Sequence, residues 1–346
     1  MLMKIAQTKI IKFLSLLLLI SLLACSDSIE TRKQRFLLKG NELLMKQNFP
    51  LAVKNYNEAL KLDSCYADAH NNLGTAYFRQ KQFAEALQHY QTAIGCKPGF
   101  LNAIFNRANA YYELEKLDEA LTDIKTIRAS KPDTLPVHFL EGLVYTKQRD
   151  YPAALEAFNR GLKLDSTNAE LWVNIGTVHY YAHAYADAKH ALERAVALND
   201  KEANAWNTLA MVLAAEGNLP EAHAQLKKAL NLKPRDAYYL NNRGYLFLLA
   251  GDLEKALEDI NQSIALDPYN GWAYRNKGIY YIKTNDYPSA IRLLTQAVSL
   301  DPFIEEVYYY LAQAYISSGD AVKGCEAWAE SVKRKERTDA SFPMCK

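Results

Sequence analysis

The chain has almost no net charge. Lysine and arginine number 41 against 39 aspartates and glutamates, a formal +2 at pH 7. Nucleic-acid binding draws on surplus cations, so this balance makes no electrostatic case for it. The common catalytic signatures are also missing. There is no Gly-x-Ser-x-Gly elbow, no phosphate-binding loop, no Cys-x-x-Cys and no His-Glu-x-x-His. No enzyme activity and no cofactor are therefore expected. Strand-like alternation of any length is absent, which excludes a sheet. Long apolar runs are absent too. The longest is Phe13 to Leu23, eleven residues that include two serines, where a membrane-spanning helix needs about 20. A metal site has one candidate. His179 and His183 are spaced by four, with Asp187 and His190 nearby. No cysteine or tight carboxylate cluster completes a ligand set. His179 occupies a packing position and His183 a turn, so no metal is expected.

What fills the chain is a 34-residue pattern that runs nine times without a gap, from Lys33 to Thr338. Ala67 to Phe100 is a convenient template. Leu73, Gly74 and Tyr77 recur at helical spacing, then Ala86, Tyr90 and Ala93, with the polar turn Arg79-Gln80-Lys81-Gln82 between them. Lys97-Pro98-Gly99 stops the second helix. The other copies stay in phase. A small residue recurs in the first helix, as at Gly40, Gly74, Ala108, Gly142 and Gly176. Alanine recurs in the second helix from Ala52 to Ala290, and only the ninth copy departs, with Gly324. Bulky partners interlock with these, among them Tyr56, Tyr90, Phe158 and Leu226. Pro98, Pro132, Pro234, Pro268 and Pro302 close five of the copies. A unit this short cannot bury its apolar face alone and must stack on its neighbours.

This array resembles the tetratricopeptide repeat family. The length, the Leu-Gly-x-x-Tyr and Ala-x-x-x-Tyr-x-x-Ala cores and the closing proline all match, and Trp172 and Trp206 stand at the family's tryptophan position. The resemblance implies an all-α fold, a right-handed α-solenoid superhelix of nine helix pairs. It also implies a concave wall lined by the first helix of each pair.

Residues 1–24 are expected to be a leader, with a basic start at Lys4, Lys9 and Lys12 before the apolar run. The run ends in Leu22-Leu23-Ala24-Cys25, which resembles the lipobox of bacterial lipoproteins. That resemblance implies lipid on the Cys25 thiol. The alternative, ordinary cleavage after Ala24, wants a small residue where Leu22 stands. Ser26 in place of an aspartate favours the outer membrane. Residues 25–32 form a short linker that extends at most about 25 Å beyond the lipid, residues 33–338 the repeats, and residues 339–346 a tail. Without the leader lysines the balance becomes 38 basic against 39 acidic residues, or −1.

Four further cysteines suit an exported chain. Cys65 precedes the first helix of one repeat and Cys96 ends its second, so an antiparallel hairpin brings them together. Cys325 and Cys345 can pin the tail to the last helix. Buried or free thiols are the alternative. The run Lys333-Arg334-Lys335-Glu336-Arg337 reads as a polar cap at the end of the last helix.

The stripe opposite the core positions should face a partner. It carries Asn72, Asn106, Asn174, Asn242 and Asn276 at one position of five repeats, and breaks at Leu140 and Thr208. Phe78, Phe105, Tyr112, Phe139, Tyr180, Tyr181, Tyr238, Tyr245, Trp272, Tyr309 and Tyr310 surround it. An amide offers donor and acceptor together, which suits an extended backbone. Aromatic rings add apolar area at low entropic cost. The row is similar to the asparagine ladder of nucleocytoplasmic O-GlcNAc transferases, which holds peptide. The family's carboxylate clamp is not reproduced: beside Arg275 and Asn276 stand Ile279 and Tyr310. The expected function is a lipid-anchored scaffold at the bacterial envelope that binds a protein or peptide segment. The alternative is a glycan-binding accessory that stacks sugar rings on the same aromatics.

Overall fold

The structure is a computed structural model that describes residues 28–130, 134–336 and 342–345. The proposed leader, Cys25, Pro132 and Arg337 lie outside the described residues. Among the described residues there are eighteen helices and no strand. They form two compact units that meet in sequence after Leu164. The first holds α1 (Ile29–Met45), α2 (Phe49–Leu62), α3 (Ala67–Arg79), α4 (Phe83–Cys96), α5 (Leu101–Glu113), α6 (Leu117–Ser130), α7 (Leu135–Gln148) and α8 (Tyr151–Leu164). The second holds α9 (Ala169–Tyr181), α10 (Tyr185–Leu198), α11 (Ala203–Ala215), α12 (Leu219–Leu232), α13 (Ala237–Ala250), α14 (Leu253–Leu266), α15 (Gly271–Lys283), α16 (Tyr287–Leu300), α17 (Val307–Ser317) and α18 (Ala321–Lys333). Within each unit the helices pack as successive hairpins, an all-α solenoid.

The small residue of each first helix lets the bulky residue of the second approach the backbone. A Cβ on Gly142 would meet the Phe158 ring at 2.4 Å, and one on Gly40 would meet Tyr56 at 2.4 Å. Both rings are fully buried. Bidentate ion pairs join the same two helices in two hairpins. Arg107 grips Asp123 at 2.8 and 2.6 Å, and Arg243 grips Asp259 at 2.6 and 2.7 Å.

Every first helix ends the same way. The residue at the turn takes positive φ: Gln47, Lys81, Glu115, Arg149, His183, Gly217, Gly251, Asn285 and Gly319, one repeat length apart. The next N–H then donates back to the carbonyl five residues earlier, as Asn48 to Leu43 at 2.9 Å and Asp252 to Phe247 at 2.9 Å. This satisfies a carbonyl orphaned at the helix end. Sequence periodicity registers this turn only as polar, because six of its nine occupants are not glycine.

Disulfides close Cys65 to Cys96, with Cα atoms 5.3 Å apart, and Cys325 to Cys345, at 5.1 Å. The second fastens the tail so that Phe342 packs edge-on to Trp328 and against Tyr309. The last helix stops at Lys333, so the basic run only begins within it. Glu336, just beyond, accepts from the Tyr309 N–H at 2.9 Å and so caps the start of α17.

Candidate functional site

A cavity of about 560 Å³ opens in the second unit, within the roughly 300–1,000 Å³ usual for ligand pockets. Its walls are the faces of α9, α11, α13 and α15 opposite the small core residues, plus the start of α10 and the segment before α17. Spacing explains the set. Asn204, Asn207 and Met211 share one stripe of α11, and Tyr238, Asn242, Tyr245 and Leu249 one stripe of α13. Asp236 fixes the start of α13 by accepting from the Tyr238 and Tyr239 N–H groups at 3.0 and 3.1 Å.

Arg275 lies at the wall of the cavity and is 3% exposed. Its Nη1 donates to Asn276 at 2.9 Å and its Nη2 to Glu306 at 3.1 Å. Its Nε is buried without a partner. The guanidinium stacks within 5.1 Å of the Tyr245 and Tyr310 centroids and 5.7 Å of Trp272. Burial works against its charge, but Tyr245, Tyr310, Glu306 and Glu305 more than offset this and hold its pKa above the ordinary value. In the same cavity, Tyr180 lies 5.7 Å from Tyr181 and 6.1 Å from Tyr185, ring centre to ring centre. Burial first, then the Glu305 carboxylate, pushes the Tyr180 phenol well above its usual range.

The asparagine row turns out to be bonded to itself. Asn106 Nδ2 donates to Asn71 Oδ1 at 2.9 Å, Asn242 to Asn207 at 2.9 Å and Asn276 to Asn241 at 2.9 Å. Each bond runs from one first helix to the residue before the same position in the previous repeat. Asn71 and Asn241 then donate to Asn72 and Asn242 beside them, and Asn72 donates to Asn41 at 2.8 Å. One amide N–H of each rung is thereby committed, and Asn276 is buried. Asn174 instead donates to the Glu170 carbonyl of its own helix at 2.8 Å.

Of the residues expected to face a partner, Tyr180, Tyr181, Tyr238, Asn242, Tyr245, Trp272 and Asn276 line this cavity. Asn174 does not, and Tyr309 packs against Tyr310 and the tail. Asn72, Phe78, Phe105, Asn106, Tyr112 and Phe139 belong to the first unit. There Phe78 meets Phe83, Phe139 meets Phe158, and Lys147 covers Tyr112. Leu140, where the asparagine row breaks, is core at 3% exposed. Sequence reasoning missed Tyr185, Asn204, Asn207, Glu305 and Glu306. The doublets Asn71-Asn72 and Asn241-Asn242 were the available signal for the cross-repeat bonds. Among the described residues no three His, Cys, Asp or Glu side chains converge as a metal site. Among them, too, no helix is long and apolar enough to cross a membrane.

Family models described as tetratricopeptide or TPR repeats match residues 40–81, 67–100 and 275–339. The chain is a tetratricopeptide repeat protein. A further model, described as the cilia and flagella-associated protein 70 C-terminal domain, matches residues 100–275. No curated protein matches significantly. Solved structures share the fold, among them a tetratricopeptide repeat protein. One from Parabacteroides merdae is 18% identical, with a TM-score of 0.64, covering 72% of this chain and 98% of its own. Pseudomonas aeruginosa PilF is 18% identical, with a TM-score of 0.53, covering 62% and 97%. An IFIT1 monomeric mutant with Gppp-AAAA is 20% identical, with a TM-score of 0.56, covering 81% and 70%.

Proposed function

We propose that this tetratricopeptide repeat protein is a scaffold of the bacterial envelope. Lipid on Cys25 holds it to a membrane, the outer one, and the pocket of its second unit grips an extended segment of a protein partner. The tetratricopeptide fold supports the interaction role. The observation that carries the pocket assignment is the convergence of Tyr180, Tyr181, Tyr238, Tyr245 and Trp272 on one cavity, since aromatic rings dominate binding hot spots. Asp236, Glu305 and Glu306 in its lining argue against a nucleic-acid ligand. The anchor rests on Leu22-Leu23-Ala24-Cys25 alone.

A photo-crosslinking residue at Tyr181, on the cavity wall, should capture a protein in intact cells. The same group at Leu232, exposed on α12, should not. Equal yields from the two sites, or no protein adduct at Tyr181, would refute the assignment. Cys25→Ser should move the protein from the detergent phase to the aqueous phase, because a chain contributes about 0.8 kcal/mol per buried CH₂. Unchanged partitioning would remove the anchor.

A further inference from the structure

We infer that a second groove, between α12 and α13, docks an acidic side chain of a protein partner. It goes beyond the tyrosine pocket and shares no lining residue with it. The groove has a volume of about 540 Å³ and is lined by His223, Lys227, Leu230, Asn231, Pro234 and Arg243. His223, Lys227 and Asn231 are spaced by four, so α12 presents them as one stripe. Arg243 enters from α13. No carboxylate is among these lining residues.

Packing does not require this set. The Arg243–Asp259 pair has a counterpart four repeats earlier in Arg107–Asp123. The helix that precedes that pair, α4, carries Leu87, Gln91 and Gly95 where α12 carries His223, Lys227 and Asn231. The position of His223 is apolar in six other repeats, at Val53, Leu87, Leu121, Leu155, Leu257 and Ile291. Like charges gathered beside Arg243 oppose one another. Burial first, then the Arg243 guanidinium, pushes the His223 imidazole below its ordinary value. The donors are also uncommitted. Arg243 donates to Asp259 through Nε and Nη2, which leaves Nη1. Among the described residues, the side chains of Lys227 and Asn231 have no hydrogen bond or ion pair. His223 rests on Phe247, with centroids 4.9 Å apart, and Lys255 lies over the same ring. Asp259 and Glu258 act on Arg243, and neither lines the groove. An Asp or Glu carboxylate finds an ammonium and a guanidinium N–H here, and charge-assisted bonds of this kind are the strong ones. Leu230 and Pro234 supply apolar surface for its methylenes. A nucleic-acid backbone wants a long track of cations, and the chain has no such excess.

The test is calorimetric titration of the full-length chain, in detergent, with blocked glycine-serine decapeptides that carry a central Glu-Glu or Gln-Gln pair. The acidic peptide should bind roughly tenfold tighter at low salt and lose that margin at about 1 M salt. Lys227→Gln should erase the preference, and Lys227→Glu should turn it towards a Lys-Lys peptide. Lys163→Gln, at an exposed site on α8, should leave it intact. Helical circular dichroism should be unchanged in all three. The histidine NMR signal that His223→Gln removes gives a second readout. Its titration midpoint should rise when the acidic peptide saturates the chain, because a carboxylate offsets the field of Arg243. Equal binding of the Glu-Glu and Gln-Gln peptides, a preference that survives Lys227→Gln, or an unmoved His223 midpoint overturns the inference. Each of these leaves the tyrosine pocket standing, since the Tyr181 crosslink tests that separately.

Discussion

Replacing Glu306 by alanine should destabilise the second unit by about 3 kcal/mol, the lower end for breaking a buried ion pair. Its partner Arg275 has a side chain only 4% exposed and donates to the Glu306 carboxylate at 3.1 Å. Loss of the carboxylate leaves Nη2 unpaired beside an Nε that already lacks a partner. The three rings around the guanidinium recover part of this, since cation–π contacts contribute about 0.5–2 kcal/mol when desolvated. Two companion variants separate charge from backbone. Glu306 has φ of 59°, a left-handed conformation that costs roughly 1–2 kcal/mol for a residue with a Cβ. Glu306→Gly should therefore lose less stability than Glu306→Ala. Arg275→Met with Glu306→Gln removes both charges, and should restore most of the loss because an apolar replacement removes the desolvation penalty. Urea unfolding with hydrogen exchange would localise the effect to the second unit. A Glu306→Ala variant as stable as wild type would show that the rings alone hold Arg275.

Phe158→Ala should destabilise the first unit by about 3–5 kcal/mol. The ring is fully buried, stands edge-on to Phe139 with centroids 6.1 Å apart, and touches the place where Gly142 has no side chain. Truncation opens a cavity that helix backbones cannot close. The small-to-large pairing makes a sharper forecast. Gly142→Ala alone forces its Cβ into the ring and should cost about 1–3 kcal/mol of overpacking, against a gain of roughly 1 kcal/mol in helix propensity. Elsewhere in the chain Ala210 pairs with the buried Leu226. Copying that pair as Gly142→Ala with Phe158→Leu should be less harmful than the sum of its two single changes. Strict additivity in the double-mutant cycle would mean the two positions do not share a space.

Both forecasts start from positions of different legibility. Gly142 and Phe158 were readable because hairpin packing depends on residues within one repeat, and its stripe recurs every 34 residues. Glu306 was not. It follows Pro302 in a segment that starts α17 later than the other first helices start, and no other repeat has its counterpart in the left-handed region. The aromatic stripe of α9, α13 and α15 was legible from helical spacing, and its members do share a cavity. Tyr185 was not, because it reaches the cavity from the start of a second helix. Helical spacing alone makes the amide row a row of groups facing outward. Spacing defines one position per repeat, whereas the bonds link two adjacent positions in successive repeats. Their meeting depends on the offset between neighbouring hairpins, which no single repeat encodes.

That offset has a mechanical consequence. From Arg275 through Asn276, Asn241 and Asn242 to Asn207, four hydrogen bonds in series thread three consecutive first helices. In a stack whose stability is a sum of nearest-neighbour contacts, such a thread raises the coupling between layers relative to the stability of each layer. Fraying from one end should then stall at α15, and hydrogen exchange should show α11, α13 and α15 opening together. Part of the pocket wall is carried on those same helices, so Tyr238, Tyr245 and Trp272 keep their spacing as one block and not hairpin by hairpin.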